Sequence, residues 1–244
     1  MTFTRRVKDS IKSMVNGAGW EIRRYDPSSS VSLRLVTILR HLNIKLVLDV
    51  GANVGQYAQS IRKSGYTDRI VSFEPLPDAH RQLLRNARGD KLWSVHPRCA
   101  LGAELGEVQI NVSKNSVSSS IRAMLPSHLQ AEPQSAYISS ERTSLVTLDS
   151  VFPSYRHLTE ATWLKVDTQG SEKEVLEGAV LSMPDIKAVQ LELSLVPLYE
   201  GQSLWEEFLV RMQGWGYEVW ALLPGFCDMR TGRSLQVDAI FVRV

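Results

Sequence analysis

Apolar positions along the chain change rhythm near residue 46. In the first fifteen residues Phe3, Val7, Ile11, Met14 and Val15 recur at the spacing that lines one face of a helix. That predicts an amphipathic helix over 3–15, ended by the Asn16-Gly17 breaker. The stretch from Asp26 to Ser30 reads as a linker carrying an N-cap, with a second helix over 30–42. Beyond it, short runs rich in β-branched residues alternate with helical stretches. Strands are predicted at 46–50, 69–74, 91–95, 163–167 and 188–193, with helices over 55–64, 77–87, 171–180 and 203–214. Segments 106–112 and 144–148 alternate polar and apolar residues, as an inserted or edge pair would. The last two strands, 217–223 and 236–244, have no room for a helix between them. Repeated strand–helix alternation predicts an α/β fold with a mostly parallel sheet, and the helix-free closing pair predicts one antiparallel strand.

Composition narrows the classes. The chain has 244 residues, 43% hydrophobic and 22% charged, enough for one globular domain with an appendage. The division expected is an N-terminal helical extension, 1–43, and a main domain, 44–244. No uncharged apolar run approaches the length of a membrane span, and the first 25 residues lack the apolar centre of a signal peptide, so a cytoplasmic protein is expected. Cys99 and Cys227 give no disulfide framework and no metal-like spacing, and both are read as buried thiols. The net charge of +2 gives no argument for nucleic acid, but its distribution is uneven. Residues 1–25 carry six basic side chains against two acids, a local +4. A basic amphipathic helix of this kind suits either solvent or weak attachment to an anionic membrane surface.

The main chemical signal is LVLDVGANVGQY, a strand feeding a glycine turn that opens a helix. Gly51 and Gly55 let the backbone turn and approach a ligand. A dinucleotide-binding turn needs two further glycines where this chain has Asn53 and Gln56, which disfavours a nicotinamide cofactor. Asp49 would repel phosphate and attract a ligand bearing ammonium and sulfonium groups. Glu74 ends the next strand, twenty-five residues after Asp49, where a carboxylate accepts hydrogen bonds from a ribose diol. Asp49, the glycine turn and Glu74 together fit S-adenosylmethionine.

In WLKVDTQGSEKEVLEG, Trp163, Lys165 and Asp167 would share one strand face, with Asp167 at the carboxyl end. Gly170 permits the turn into the next helix, and Glu172 suits its first turn. Lys165 could pair with Asp167 or Glu192. Glu192 ends the following strand and would open onto the same crevice. Transfer of a methyl group to a hydroxyl needs either a base or a metal that acidifies the hydroxyl. Asp167 and Glu192 are the catalytic candidates, and as a pair they could hold Mg2+. His128, in the irregular segment 114–142, is an outside candidate for the base. Trp205, Trp215, Tyr217 and Trp220 could stack on a sugar or belong to the core.

The order and spacing of LVLDVGANVGQY, VSFEPLPDAHRQL, CALG, Ser118–Ser120, LVTLD, WLKVDTQGSEKEVLEGA and VQLELS resemble the FkbM-type methyltransferase family. The resemblance spans about residues 44–244. It implies a class I, Rossmann-like methyltransferase fold with a seven-stranded sheet, and O-methylation with S-adenosylmethionine. On those motifs Asp49, Gly51, Ala52, Asn53, Gly55, Glu74, Pro75, Ala100 and Asp167 would bind cofactor. The acceptor implied is a sugar hydroxyl on a glycolipid or other glycoside, alternatively a polyketide hydroxyl. A non-catalytic module that keeps the fold and binds S-adenosylmethionine is the rival reading.

Overall fold

The computed structural model describes residues 3–243. Helix α1, Phe3–Gly17, stands at the N-terminus, and α2, Val31–His41, begins where the Ser30 hydroxyl accepts the Leu33 N–H. Leu35, Val36, Ile38 and Leu39 of α2 are buried in the same cluster as the central strands, so this helix is part of the main domain's core. The expected boundary at residue 43 therefore cuts through a packed unit, because sequence motifs mark chemistry and not burial.

Strand β1, Ile44–Val50, is buried along nearly its whole length. It reads as a mostly apolar run, interrupted by Lys45 and Asp49, because helices cover both sheet faces. Then follow α3, Gln56–Lys63; β2, Arg69–Phe73; α4, Pro77–Ala87; and β3, Trp93–Val95. A small second sheet comes next: β4, Ala100–Leu101, and β5, Gly106–Ser113, lie on either side of a strand that follows helix α5, Pro126–Ala131. That strand, β6, spans Tyr137–Val146 and starts well before the predicted 144. Its first half, polar and largely exposed, pairs with β5 and so lacks the apolar pattern of a buried strand.

After the short helix α6, Leu148–Val151, the chain returns to the central sheet with β7, Ala161–Val166; α7, Glu172–Glu177; β8, Ile186–Ser194; α8, Trp205–Gly214; and β9, Tyr217–Pro224. A hairpin of β10, Cys227–Asp228, and β11, Arg233–Ser234, leads into β12, Gln236–Arg243. Helix α7 is shorter than predicted. A Cβ at Gly178 would lie 1.9 Å from the Gly102 carbonyl oxygen, and that crossing of the two segments ends the helix.

The large sheet runs β3-β2-β1-β7-β8-β12-β9. All pairings are parallel except the two made by β12, which is the single reversed strand. From β1 the chain builds outward to β3, then returns to the other side of β1 at β7. The carboxyl ends of β1 and β7 thus form the topological switch point where open α/β sheets bind ligands. Among the described residues no helix is long and apolar enough to cross a membrane.

Candidate active site

At that switch point lies a cavity of about 330 Å³, floored by Val50–Asn53 and Lys165–Gln169 and roofed by the Ser116–Ile121 segment. Its size is within the range of small-molecule sites. The first floor segment is a tight turn. Gly51 has φ +73° and Asn53 φ +48°, and the N–H groups of Gly51 and Ala52 both bond to the Phe73 carbonyl at 3.1 and 3.0 Å. A Cβ on Gly51 would come within 1.8 Å of the Asp167 carbonyl oxygen, while one on Gly55 would strike Trp93 and Leu83. Both glycines therefore serve protein packing. Gly55 does not line the cavity, contrary to its assignment as a ligand contact.

Glu74 is buried at the cavity wall. Its two carboxylate oxygens accept the Asn53 N–H at 2.7 Å and the Leu76 N–H at 2.9 Å. Burial pushes its pKa up to about 7, against the pull of those two donors. Each oxygen keeps a second lone pair free for a further donor. Ala52, Asn53, Pro75 and Ala100, all expected at the cofactor, line the same cavity, and Cys99 and Ile110 add apolar wall. Cys227, by contrast with Cys99, is only half-buried.

A row of polar side chains crosses the sheet beneath the opposite end. Strand register places Ser72 beside Asp49, Asp49 beside Lys165, and Lys165 beside Gln190. The Ser72 hydroxyl donates to Asp49 Oδ2 at 3.3 Å, and Lys165 Nζ lies 3.3 Å from Asp49 Oδ1 and 3.4 Å from Asp167 Oδ2. Lys165 also donates to the Gly51 carbonyl at 3.3 Å and sits 5.6 Å from the Tyr57 ring centre. Burial works to lower the ammonium's pKa, but Asp167 and Asp49 together hold it above its usual value. Lys165 thus pairs with two aspartates and not with Glu192. Asp49 itself is wholly buried and does not line the cavity, and burial raises its carboxyl pKa.

Asp167 does line the cavity, with its side chain 32% exposed. The next residues form a second tight turn, with Gln169 at φ +56° and Gly170 at φ +99°. Buried Glu172 holds it, accepting the Thr168 N–H at 2.8 Å and the Gly170 N–H at 3.1 Å. Gln169 Nε2 donates both to Asp167 Oδ1 at 2.8 Å and to Glu192 Oε2 at 2.6 Å. An amide therefore occupies the gap between the two carboxylates suggested as a magnesium pair. Among the described residues no three His, Cys, Asp or Glu side chains converge to hold a metal.

Glu192 is a correction. It lies behind Gln169, outside the cavity lining, and also accepts the Gln236 amide at 2.9 Å. Burial, with Asp167 and Asp238 nearby, pushes its pKa well up. His128 is a second correction. It is buried between Tyr199 and Phe226, its Nε2 is 3.1 Å from the Ser135 hydroxyl, and burial lowers its pKa to about 4. It does not reach the cavity. Of the aromatic group, Tyr217 belongs to the core cluster, half-buried Trp205 and Trp215 pack against it, and Trp220 stacks on His41 at 5.7 Å.

Among the lining residues not singled out in the sequence are Tyr57 and Asp238. Tyr57 donates through its hydroxyl to Gln190 Oε1 at 3.0 Å, and Gln190 Nε2 donates to Asp238 Oδ1 at 3.0 Å. Asp238 comes from the reversed strand, and burial raises its pKa. The signal for Gln190 was present: each of LVLDV, IVSF, WLKV and AVQL carries one polar residue in an apolar strand, and these make the row. Tyr199, outside the lining, steadies the turn by donating to Gln169 Oε1 at 2.6 Å. The serine segment closes the roof, with Ser120 Oγ donating to the Gln169 carbonyl at 2.6 Å.

A family model for the methyltransferase FkbM domain matches residues 49–219. No curated protein sequence matches the chain. Among solved structures, a provisionally assigned O-methyltransferase from Klebsiella pneumoniae is similar with a TM-score of 0.51 and 10% identity, over 97% of this chain and 89% of that one. The magnesium protoporphyrin IX methyltransferase of Synechocystis, with bound SAM, gives 0.47 and 8%, over 100% and 85%. A provisionally assigned tRNA (m1A22) methyltransferase from Streptococcus pneumoniae, in complex with S-adenosyl-L-methionine, gives 0.47 and 10%, over 88% and 72%. At such identities the likeness is one of fold, and the fold is that of class I methyltransferases.

Proposed function

The chain belongs to the FkbM methyltransferase family, and from that premise we propose that it is an S-adenosylmethionine-dependent O-methyltransferase acting on a hydroxyl of a glycolipid or other glycoside. The observation that carries the cofactor reading is the charge of the cavity. Glu74 stands at one end, and Asp167 and Asp238 line the other beside the single ammonium of Lys165, which Asp49 pairs from beneath the cavity. That excess of negative charge suits a sulfonium and an ammonium and repels a pyrophosphate. Glu74's free lone pairs suit a ribose diol, and the wall formed by Leu76, Ala100 and Ile110 suits an adenine face.

When bound, the cofactor would supply an electrophilic methyl carbon on sulfur for the acceptor oxygen, with the thioether as leaving group. The chain's own part is to orient the hydroxyl and take its proton. Asp167 is the carboxylate proposed for that step, since it lines the cavity and its Oδ2 is steadied by Lys165. Asp238 stands at the same end, one hydrogen bond from Gln190. The acceptor class rests on family resemblance alone.

The test is calorimetry with S-adenosylmethionine and NAD, followed by a mass-spectrometric screen of glycolipid and polyketide acceptors with labelled cofactor. S-adenosylmethionine should bind and NAD should not. Glu74→Ala should weaken binding by roughly 10- to 150-fold, the worth of one to two charge-assisted hydrogen bonds. Label appearing on a polyketide hydroxyl would replace the acceptor class, and cofactor binding with no transfer to any acceptor would favour the non-catalytic reading.

A further inference from the structure

Among the described residues, the apolar stripe of helix α1 is largely exposed. Ile11, Met14 and Val15 recur at one-turn spacing, yet Ile11 is 49% exposed and Met14 77%. Lys8 and Lys12 border that stripe on one edge. The chain leaves the helix at Gly19, φ +81°, and the segment that follows exposes Trp20 at 76%, Ile22 at 46% and Tyr25 at 68%. Arg23 and Arg24 lie among these exposed apolar residues. Five large apolar side chains are thus exposed within fifteen residues, a longer run than the Val219–Leu222 stretch of β9 or the Val180–Leu181 pair.

We propose that α1 and the Trp20–Tyr25 segment form a docking surface for an anionic lipid bilayer. An apolar helical stripe edged by lysines lies in the plane of a membrane interface with its apolar side at the acyl boundary. Trp and Tyr are the side chains that favour the headgroup level. The local charge of +4 in residues 1–25 complements acidic headgroups. The same charge argues against a second copy as the occupant, because two such faces would bring like charges together. The proposal is independent of the reaction assigned to the cavity, since none of these residues lines it.

The experiment is co-sedimentation of the full chain with phosphatidylcholine vesicles containing about one-third phosphatidylglycerol, alongside pure phosphatidylcholine vesicles. The expected result is binding to the acidic vesicles alone, weakened by salt. The double variant Lys8→Glu/Lys12→Glu should lower partitioning by tenfold or more, and Met14→Ser/Trp20→Ser should do the same. Both pairs are solvent-exposed, so the fold should hold, and cofactor binding measured on the same preparations should be unchanged. Absence of binding to acidic vesicles would overturn the proposal, as would binding that neither double variant reduces. A concentration-dependent dimer dissolved by Met14→Ser/Trp20→Ser would overturn it too, by making a second copy the occupant.

Discussion

Glu74 shows how one residue can serve both fold and ligand. Its carboxylate accepts two backbone N–H groups and still faces the cavity, and burial raises its pKa to about 7. The raised value has a sign. Between about pH 4.5 and 7 the folded protein holds a proton the unfolded chain releases, so this group's stabilising contribution falls as pH rises through that window. Ligand binding runs the opposite way. A ribose diol donates to the ionised carboxylate, so affinity for S-adenosylmethionine should rise from pH 5.5 to 7.5 and then level off, by about tenfold. Calorimetry across that range tests it, and Glu74→Gln should flatten the profile; an equally steep profile in that variant would assign the titration to another group. Asp167 calls for a different readout. Asp167→Asn keeps the shape and the Gln169 neighbour but removes the charge beside Lys165. If it is the base, turnover should fall about 10²- to 10⁴-fold while cofactor affinity changes much less. Near-normal turnover would pass the role to Asp238, whose own Asn variant is then the one to assay. At this scale a charge interrupting an apolar strand marked Asp49 and Lys165, and a strand end marked Glu74, but spacing could not tell that Asp49 lies beneath the cavity and not in its wall. Nor was the sequence legible where a side chain reaches the cavity from a distant element. Asp238 and Tyr57 depend on a strand reversal and a helix rotation that no local spacing reports.

The elements that carry these residues are held by turns with little slack. Two left-handed turns, at Gly51–Asn53 and Gln169–Gly170, meet where the Asp167 N–H bonds to the Val50 carbonyl at 3.2 Å. The start of α7 locks the second turn, because Glu172 satisfies the N–H groups of Thr168 and Gly170 from inside the protein. Removing that carboxylate leaves buried donors unpaired, a cost of about 2–4 kcal/mol. Glu172→Ala should therefore lower Tm by roughly 5–15 °C for a domain of this size. It should also weaken the hold on Gln169, which spaces Asp167 from Glu192. A thermal scan that finds wild-type Tm would mean water replaces the carboxylate at little cost. Glu172 was legible only as a helix-start acid; its inward direction follows from the turn conformation and not from the helix dipole. Strand β6 was hidden for a related reason. The run ISSERTS pairs with β5 on an exposed sheet, so propensity and burial give no alternation to read.

Across the whole molecule, the mostly parallel sheet and its one reversed strand followed from the rhythm of the chain, because each βα unit has few ways to fold onto a parallel sheet. The boundary at residue 43 did not, since α2 contains no motif and its role is burial. That difference separates two truncations. Leu35, Val36, Ile38 and Leu39 of α2 are buried against Val47, Ile61 and their neighbours, and four such side chains are worth up to about 6–12 kcal/mol of transfer energy. A chain beginning at Asn43 loses all of it and should unfold or aggregate, since net stabilities are of that same order. A chain beginning at Pro27 keeps α2 with its Ser30 cap and loses only α1 and the segment after it, where Ile11, Met14, Trp20 and Tyr25 are exposed. It should melt within about 3 °C of the full chain and bind S-adenosylmethionine with unchanged affinity. Calorimetry and a thermal scan on both truncations decide the matter. Folding of the shorter one would restore the boundary at residue 43, whereas lost cofactor affinity in the longer one, while it still folds, would tie the N-terminal segment to the cavity.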